Sequence, residues 1–72
     1  MVKINTELTG GMEKARELFE ELTGRKVNII ESKDEATIGE IKILFRELGK
    51  SQHPKVEIKN NTTNTYEKIT FL

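Results

Sequence analysis

The chain has 72 residues with twelve Lys/Arg, twelve Asp/Glu, one His and no Cys, and its formal net charge is zero. A single domain of this length buries only about 60% of its unfolded surface, and with no cysteine neither a disulfide nor a thiolate metal site can reinforce it. One His without Cys argues against zinc, no apolar run reaches the roughly 20 residues of a membrane span, and overall neutrality does not favour nucleic acid as a partner.

The charge is unevenly placed, however. Residues 1–40 carry six Lys/Arg and nine Asp/Glu, whereas residues 41–72 carry six and three. An acidic scaffold followed by a basic working surface is one reading; chance in a small protein is the other.

The opening "MVKINTEL" lacks the apolar core of a signal peptide, so export would depend on a larger protein or another route. "TGGMEKARELFEELTGRK" follows. Met12, Ala15, Leu18, Phe19 and Leu22 recur at helical spacing, and Glu13, Glu17, Glu20 and Glu21 lie largely off that stripe. The spacing predicts a helix over 11–23 with Phe19 and Leu22 in the core. Thr9 or Gly10 is the candidate N-cap, Gly24 the left-handed stop, and Arg25 and Lys26 suit the negative end of the dipole. Backbone N–H groups after "TGG" suit phosphate, but no Lys-Ser/Thr follows as a Walker loop requires. Glycine-permitted helix initiation is the simpler account.

"KVNIIES" is short and β-branched, and reads as a strand. The next segment, "DEATIGEIKILFRELGKS", fits two periods. Ile38, Ile41, Leu44 or Phe45, and Leu48 make a helical stripe ending at Gly49. Alternatively, Ile41, Ile43 and Phe45 alternate with Lys42, Leu44 and Arg46 as in a strand, and Gly39 disfavours the helix by about 1 kcal/mol. Towards the C-terminus, "PKVEIKN" and "TYEKITFL" alternate around the polar "NNTTNT", which predicts a β-hairpin with a loop of about four to six residues.

Two stretches, "TGGMEKARELFEELTGRKV" and "FRELGKSQHPKVEIKNNTTNTYEKITFL", together resemble C-terminal toxin domains of bacterial polymorphic toxins. The shared pattern is a GG-led helix ending in "LTG", then a strand ending in Phe45-Arg46. A Ser-centred turn follows, leading through Pro54 to a Val56-Glu57-Ile58 strand, and "EKITF" closes the chain. Such domains, found behind LXG, contact-dependent-inhibition and wall-associated delivery proteins, are similar to the small RNases grouped with barnase, EndoU, tRNase colicins and RelE. The resemblance implies an α+β fold, an N-terminal helix packed on a four-stranded antiparallel sheet, as a single domain over 1–72. It makes 40–48 a strand.

It also implies an effector, secreted or delivered, that acts on RNA (tRNA among the candidates) in the target-cell cytoplasm during bacterial competition. A cognate immunity protein would neutralise it. The chain is expected to be a monomer, with no membrane partner and no cofactor. Many such nucleases are clearly basic, and this chain departs from them in being neutral.

Metal-independent RNA cleavage needs a base for the 2′-OH, an acid for the leaving 5′-oxygen, and cations for the charge developing on phosphorus. Histidine is the side-chain type that ordinarily titrates near neutrality, and His53 is the only one. Arg46 offers a planar fork for phosphate, or else a solvated partner for Glu57 or Glu47. Ser51 completes the expected catalytic set, unless it serves only the turn. Lys50, Lys55, Lys59 and Lys68 form the expected substrate track; the alternative for them is a plain solvent face. Tyr66 either stacks a base or packs at the hairpin edge. A second function class stays open: a noncatalytic phage or mobile-element binding module that inhibits a host protein.

Overall fold

The computed structural model describes residues 1–48 and 52–72. Its elements are β1 (Val2–Leu8), α1 (Gly11–Thr23), β2 (Lys33–Ile38), β3 (Ile41–Arg46), β4 (Lys55–Asn60) and β5 (Thr65–Phe71). The fold is α+β, a helix on a five-stranded mixed sheet of order β1-β5-β4-β3-β2. β1 starts at one edge, α1 crosses one face, and β2 lies at the far edge. An antiparallel meander then returns until β5 pairs in parallel with β1.

α1 forms where its apolar spacing places it, over Gly11–Thr23. Ala15 and Phe19 are fully buried, and the ring of Phe19 meets Phe45 edge-on with centroids 5.8 Å apart. Ile43, Val56, Ile69 and Phe71 complete the core, each from the helix-facing side of β3, β4 or β5. Leu22, expected in the core, is instead 40% exposed. The stripe is narrower than its spacing suggests, because the helix crosses only the three strands β3, β4 and β5.

Both ends of α1 are fixed by backbone. Gly24 N–H donates to the Glu20 carbonyl, 2.8 Å away, and Thr23 Oγ1 donates to the Phe19 carbonyl at 2.8 Å. At the start, Gly10 is the N-cap with φ 108°, and no side chain caps the helix. A Cβ at Gly10 would lie 2.1 Å from Lys14 Cγ, so the position needs glycine on two counts. Gly11 N–H donates to the Leu72 carbonyl, and Leu72 N–H donates to the Leu8 carbonyl. The last residue therefore ties β1 to the start of α1, and the Gly11 N–H is already engaged rather than open to a phosphate.

Two further expectations need correction, and one strand was missed. The sheet has five strands with one parallel pair, not four antiparallel strands. "VKINTEL" is the missed strand; its alternation of Val2, Ile4, Thr6 and Leu8 on one face was its signal. The strand expected over 26–32 lies further on, at Lys33–Ile38. The reason is where the backbone donors go: Val27 N–H donates to Glu20 Oε2 and Asn28 N–H to Asp34 Oδ2, both at 2.8 Å. Glu31 and Ser32 then adopt positive φ, which turns the chain into β2. Val27 and Ile29 still pack against the edge of the core.

The ambiguous segment is a strand, Ile41–Arg46, as the resemblance implied, and not a helix. Gly39, at φ 60°, opens the two-residue link between β2 and β3, a conformation that disfavours a side chain. The hairpin of β4 and β5 closes through four residues, where Asn60 Oδ1 accepts from the N–H groups of Thr62 and Thr63.

Arg25 fastens the helix end to the far edge strand. Its guanidinium pairs with Asp34 through two bonds of 2.7 and 2.9 Å, and lies 5.4 Å from the Phe19 ring centroid. The Arg25 hydrogen bonds, aided by N–H groups of Asn28 and Glu35 and opposed by partial desolvation, hold the Asp34 carboxyl down to about 2 from its ordinary 3.8. A depressed carboxylate contributes stability that is present above its unfolded value and is lost as pH falls through the folded one. Asp34→Asn should therefore be less stable than the parent at neutral pH, with the gap closing as pH falls from about 4 towards 2. Denaturant melts across that range check it; a gap that does not change with pH would contradict the pairing.

Phe19→Ala should cost about 3–5 kcal/mol, a large share of the stability of so small a domain. Leu22→Ala, on the exposed rim, should cost under about 1 kcal/mol. Urea denaturation of the two variants reads the difference.

Candidate functional site

With α1 on one face, the other face of the sheet is left uncovered by the described residues. Alternation and register place its side chains: Lys3, Asn5 and Glu7 from β1; Tyr66, Lys68 and Thr70 from β5; Lys55, Glu57 and Lys59 from β4. β3 adds Lys42, Leu44 and Arg46, and β2 adds Lys33, Glu35 and Thr37. Seven of these are Lys or Arg and three are Glu. The neutral total of the chain thus conceals a separation of charge, with a cationic sheet face and an acidic remainder. The half-by-half charge difference along the sequence was a diluted form of this signal, since Lys3 and Lys33 lie in the acidic half but on the basic face.

A shallow depression of about 300 Å³ lies on this face, lined by Leu44 and Tyr66, by Lys33, Lys42, Arg46 and Lys59, and by Glu35 and Glu57. Lys42 Nζ lies 3.3 Å from Glu35 Oε1, a half-exposed pair across the β2–β3 ladder. At the centre of the sheet, on β4, Glu57 is only 6% exposed, the one buried charged residue among those described. Its Oε2 accepts a hydrogen bond from Arg46 Nε at 2.5 Å. Lys68 faces it across the β4–β5 ladder and Leu44 across the β3–β4 ladder.

The residues expected at the site divide into three groups. Lys55, Lys59 and Lys68 share the uncovered face with Arg46, and Arg46 lies directly across from Lys55. His53 is half-buried in the connection before β4, at the Arg46–Lys55 end of the sheet. It is anchored through buried Pro54, whose carbonyl accepts from Phe71 N–H. Lys50 and Ser51 lie outside the described residues. Among the described residues, no hydrogen bond joins His53 to Arg46 or Glu57.

Sequence reasoning missed Glu57 as more than a partner for Arg46. Its signal was an acidic residue centred in "KVEIK", a strand whose other solvent-facing residues are basic. Among the described residues, no helix is long and apolar enough to cross a membrane. No protein-family model, no curated protein and no solved structure matches the chain.

The ion pair alters what Arg46 variants report. Removing Arg46 leaves a desolvated carboxylate, so Arg46→Ala should lower stability by about 1–3 kcal/mol rather than leave it unchanged. Adding Glu57→Gln to Arg46→Ala should recover part of that loss, because the stranded charge is gone. A double-mutant cycle by urea denaturation checks the coupling.

Proposed function

We propose that the domain binds RNA on its uncovered sheet face and cleaves it as the effector of a toxin–immunity pair. The observation that carries the reading is the concentration of seven Lys/Arg against three Glu on one face of a neutral chain, around the apolar surfaces of Tyr66 and Leu44. Lysines act on phosphates as point charges, and the half-buried Tyr66 offers the face of its ring to an unpaired base. Lys59 and Lys68 flank Tyr66 and Glu57, while Lys55 and Arg46 sit at the end nearest His53.

Chemistry on this face would be transesterification. The 2′-oxygen attacks phosphorus as its proton passes to a carboxylate, and the bond to the 5′-oxygen breaks as that oxygen receives a proton. A cyclic phosphate remains. In this reading Glu57, the carboxylate on the central strand, takes the first proton, with Arg46 and Lys68 beside the charge that develops. His53 is the group at the end of the face suited to the second. The toxin context, the immunity partner and action in a target-cell cytoplasm rest on the resemblance of the "LTG" helix and the "FR…EKITF" strands.

One observation favours the noncatalytic alternative. Arg46, the guanidinium expected to hold phosphate, is already engaged by Glu57. A binding module that inhibits a host protein would use the same face without cutting.

The purified chain incubated with total tRNA separates the readings. Binding that weakens steeply with salt is expected, and Lys59→Glu with Lys68→Glu should reduce both the affinity and the salt slope. Cleavage that is lost in Glu57→Gln and slowed in His53→Ala, with both variants still folded, supports the nuclease. Binding without cleavage supports the noncatalytic module. No binding at low salt, or equal binding by the charge-reversed variant, overturns the assignment of the face.

A further inference from the structure

The sheet has two edges, and they differ. β2 is short and reads "KDEATI", with Asp34 turned to the helix-facing side and locked to Arg25. Charged and inward-turned residues of this kind blunt an edge against further pairing. β1 is seven residues long, reads "VKINTEL", and has neither Pro nor Gly. Val2, Ile4 and Leu8 on its helix-facing side are 59%, 44% and 46% exposed.

The polarity of its backbone is fixed by the pairing with β5. Val2 N–H donates to the Asn64 carbonyl, and the Leu8 carbonyl accepts from Leu72 N–H. Even-numbered residues of β1 therefore turn their backbone groups towards β5. In a regular strand the odd-numbered residues turn theirs the other way, so Lys3, Asn5 and Glu7 present free N–H and C=O groups along the outer edge.

We propose that this edge pairs with the same edge of a second copy, antiparallel about a twofold axis through Asn5, to make one continuous ten-stranded sheet. In this register Asn5 faces Asn5 of the second copy, and Lys3 faces Glu7 in both directions. All three pairs are of the hydrogen-bonded type, so every outward backbone group of Lys3, Asn5 and Glu7 finds a partner. On the uncovered face the pairing places two opposite-charge couples beside a central Asn pair. On the helix side, Val2 faces Leu8 and Ile4 faces Thr6, which brings the six exposed apolar side chains of the two edges together. Registers centred on Lys3 or on Glu7 would set like charges opposite one another and are disfavoured. The interface is isologous and closes at two copies, because each chain uses its only plain edge. It also fuses two cationic faces into one surface. The monomer expected from the sequence is then the dissociated form.

Sedimentation equilibrium on the full chain without RNA tests this independently of any nucleic-acid activity. The parent should approach twice its 8.3 kDa mass as concentration rises. Lys3→Glu alone or Glu7→Lys alone sets like charges opposite and should weaken association by about tenfold or more. The double reversal, or an equimolar mixture of the two single variants, should restore it. Asn5→Pro removes an outward N–H not used within the chain, and should give a folded monomer. A parent that stays monomeric up to about 1 mM, or single reversals that associate as tightly as the parent, overturns the proposal.

Discussion

The contact between Phe19 and Phe45 sets the rest of the structure. One helix of thirteen residues can cover about three strands, and α1 is placed so that its two fully buried side chains lie over β3, β4 and β5. Ile43, Phe45, Val56, Ile69 and Phe71 on the helix side of those strands are thereby removed from water, with Ile41 and Ile58 half-buried at the margin. No described element lies against the opposite face. That face must be polar, and the lysines of β3, β4 and β5 occupy it because their neighbours in sequence are committed to the core. Charge separation between the two sides is thus a consequence of alternation in strands that carry a single helix.

The outer strands depend on different ties. β2 is held to the helix end by Arg25 and Asp34, a bidentate pair that also orders the 25–32 connection through the Asn28 N–H. β1 is held by its parallel ladder to β5 and by Leu72, which bonds to both Leu8 and Gly11. At the centre, Glu57, the one buried carboxylate among the described residues, is matched by a half-exposed guanidinium. A desolvated charge is tolerated there because Arg46 supplies the compensating hydrogen bond. The same pair limits how freely Arg46 can serve a ligand.

Much of this was legible in the residues. The helix and the β4–β5 hairpin follow from periodicity and turn chemistry, with boundaries close to those observed. The β3 strand could not be separated from a helix by period alone, since Ile38, Ile41, Phe45 and Leu48 fit a helical stripe while Ile41, Ile43 and Phe45 fit one face of a strand; Gly39 as a hairpin residue would have resolved it. Val27, Ile29 and Ile30 look like a strand, but their backbone donors are taken by Glu20 and Asp34, side chains brought in by tertiary structure. β1 was overlooked because its pairing partner is 63 residues away and its outward residues are polar. For the site, the sequence identifies Lys55, Lys59, Lys68 and Arg46 as candidates, and register places them on one face. The central, buried position of Glu57 is a property of strand order, which no local pattern encodes.

The account stands on the uncovered sheet face being the working surface. An NMR titration of the isotope-labelled chain with a short single-stranded RNA at low salt tests that most directly. Side-chain resonances of Lys42, Lys59, Tyr66 and Lys68 should move together and return as salt is added, while Glu13, Glu17 and Glu21 on α1 stay in place. Shifts confined to α1, or no shifts at all with RNA in excess, would contradict it.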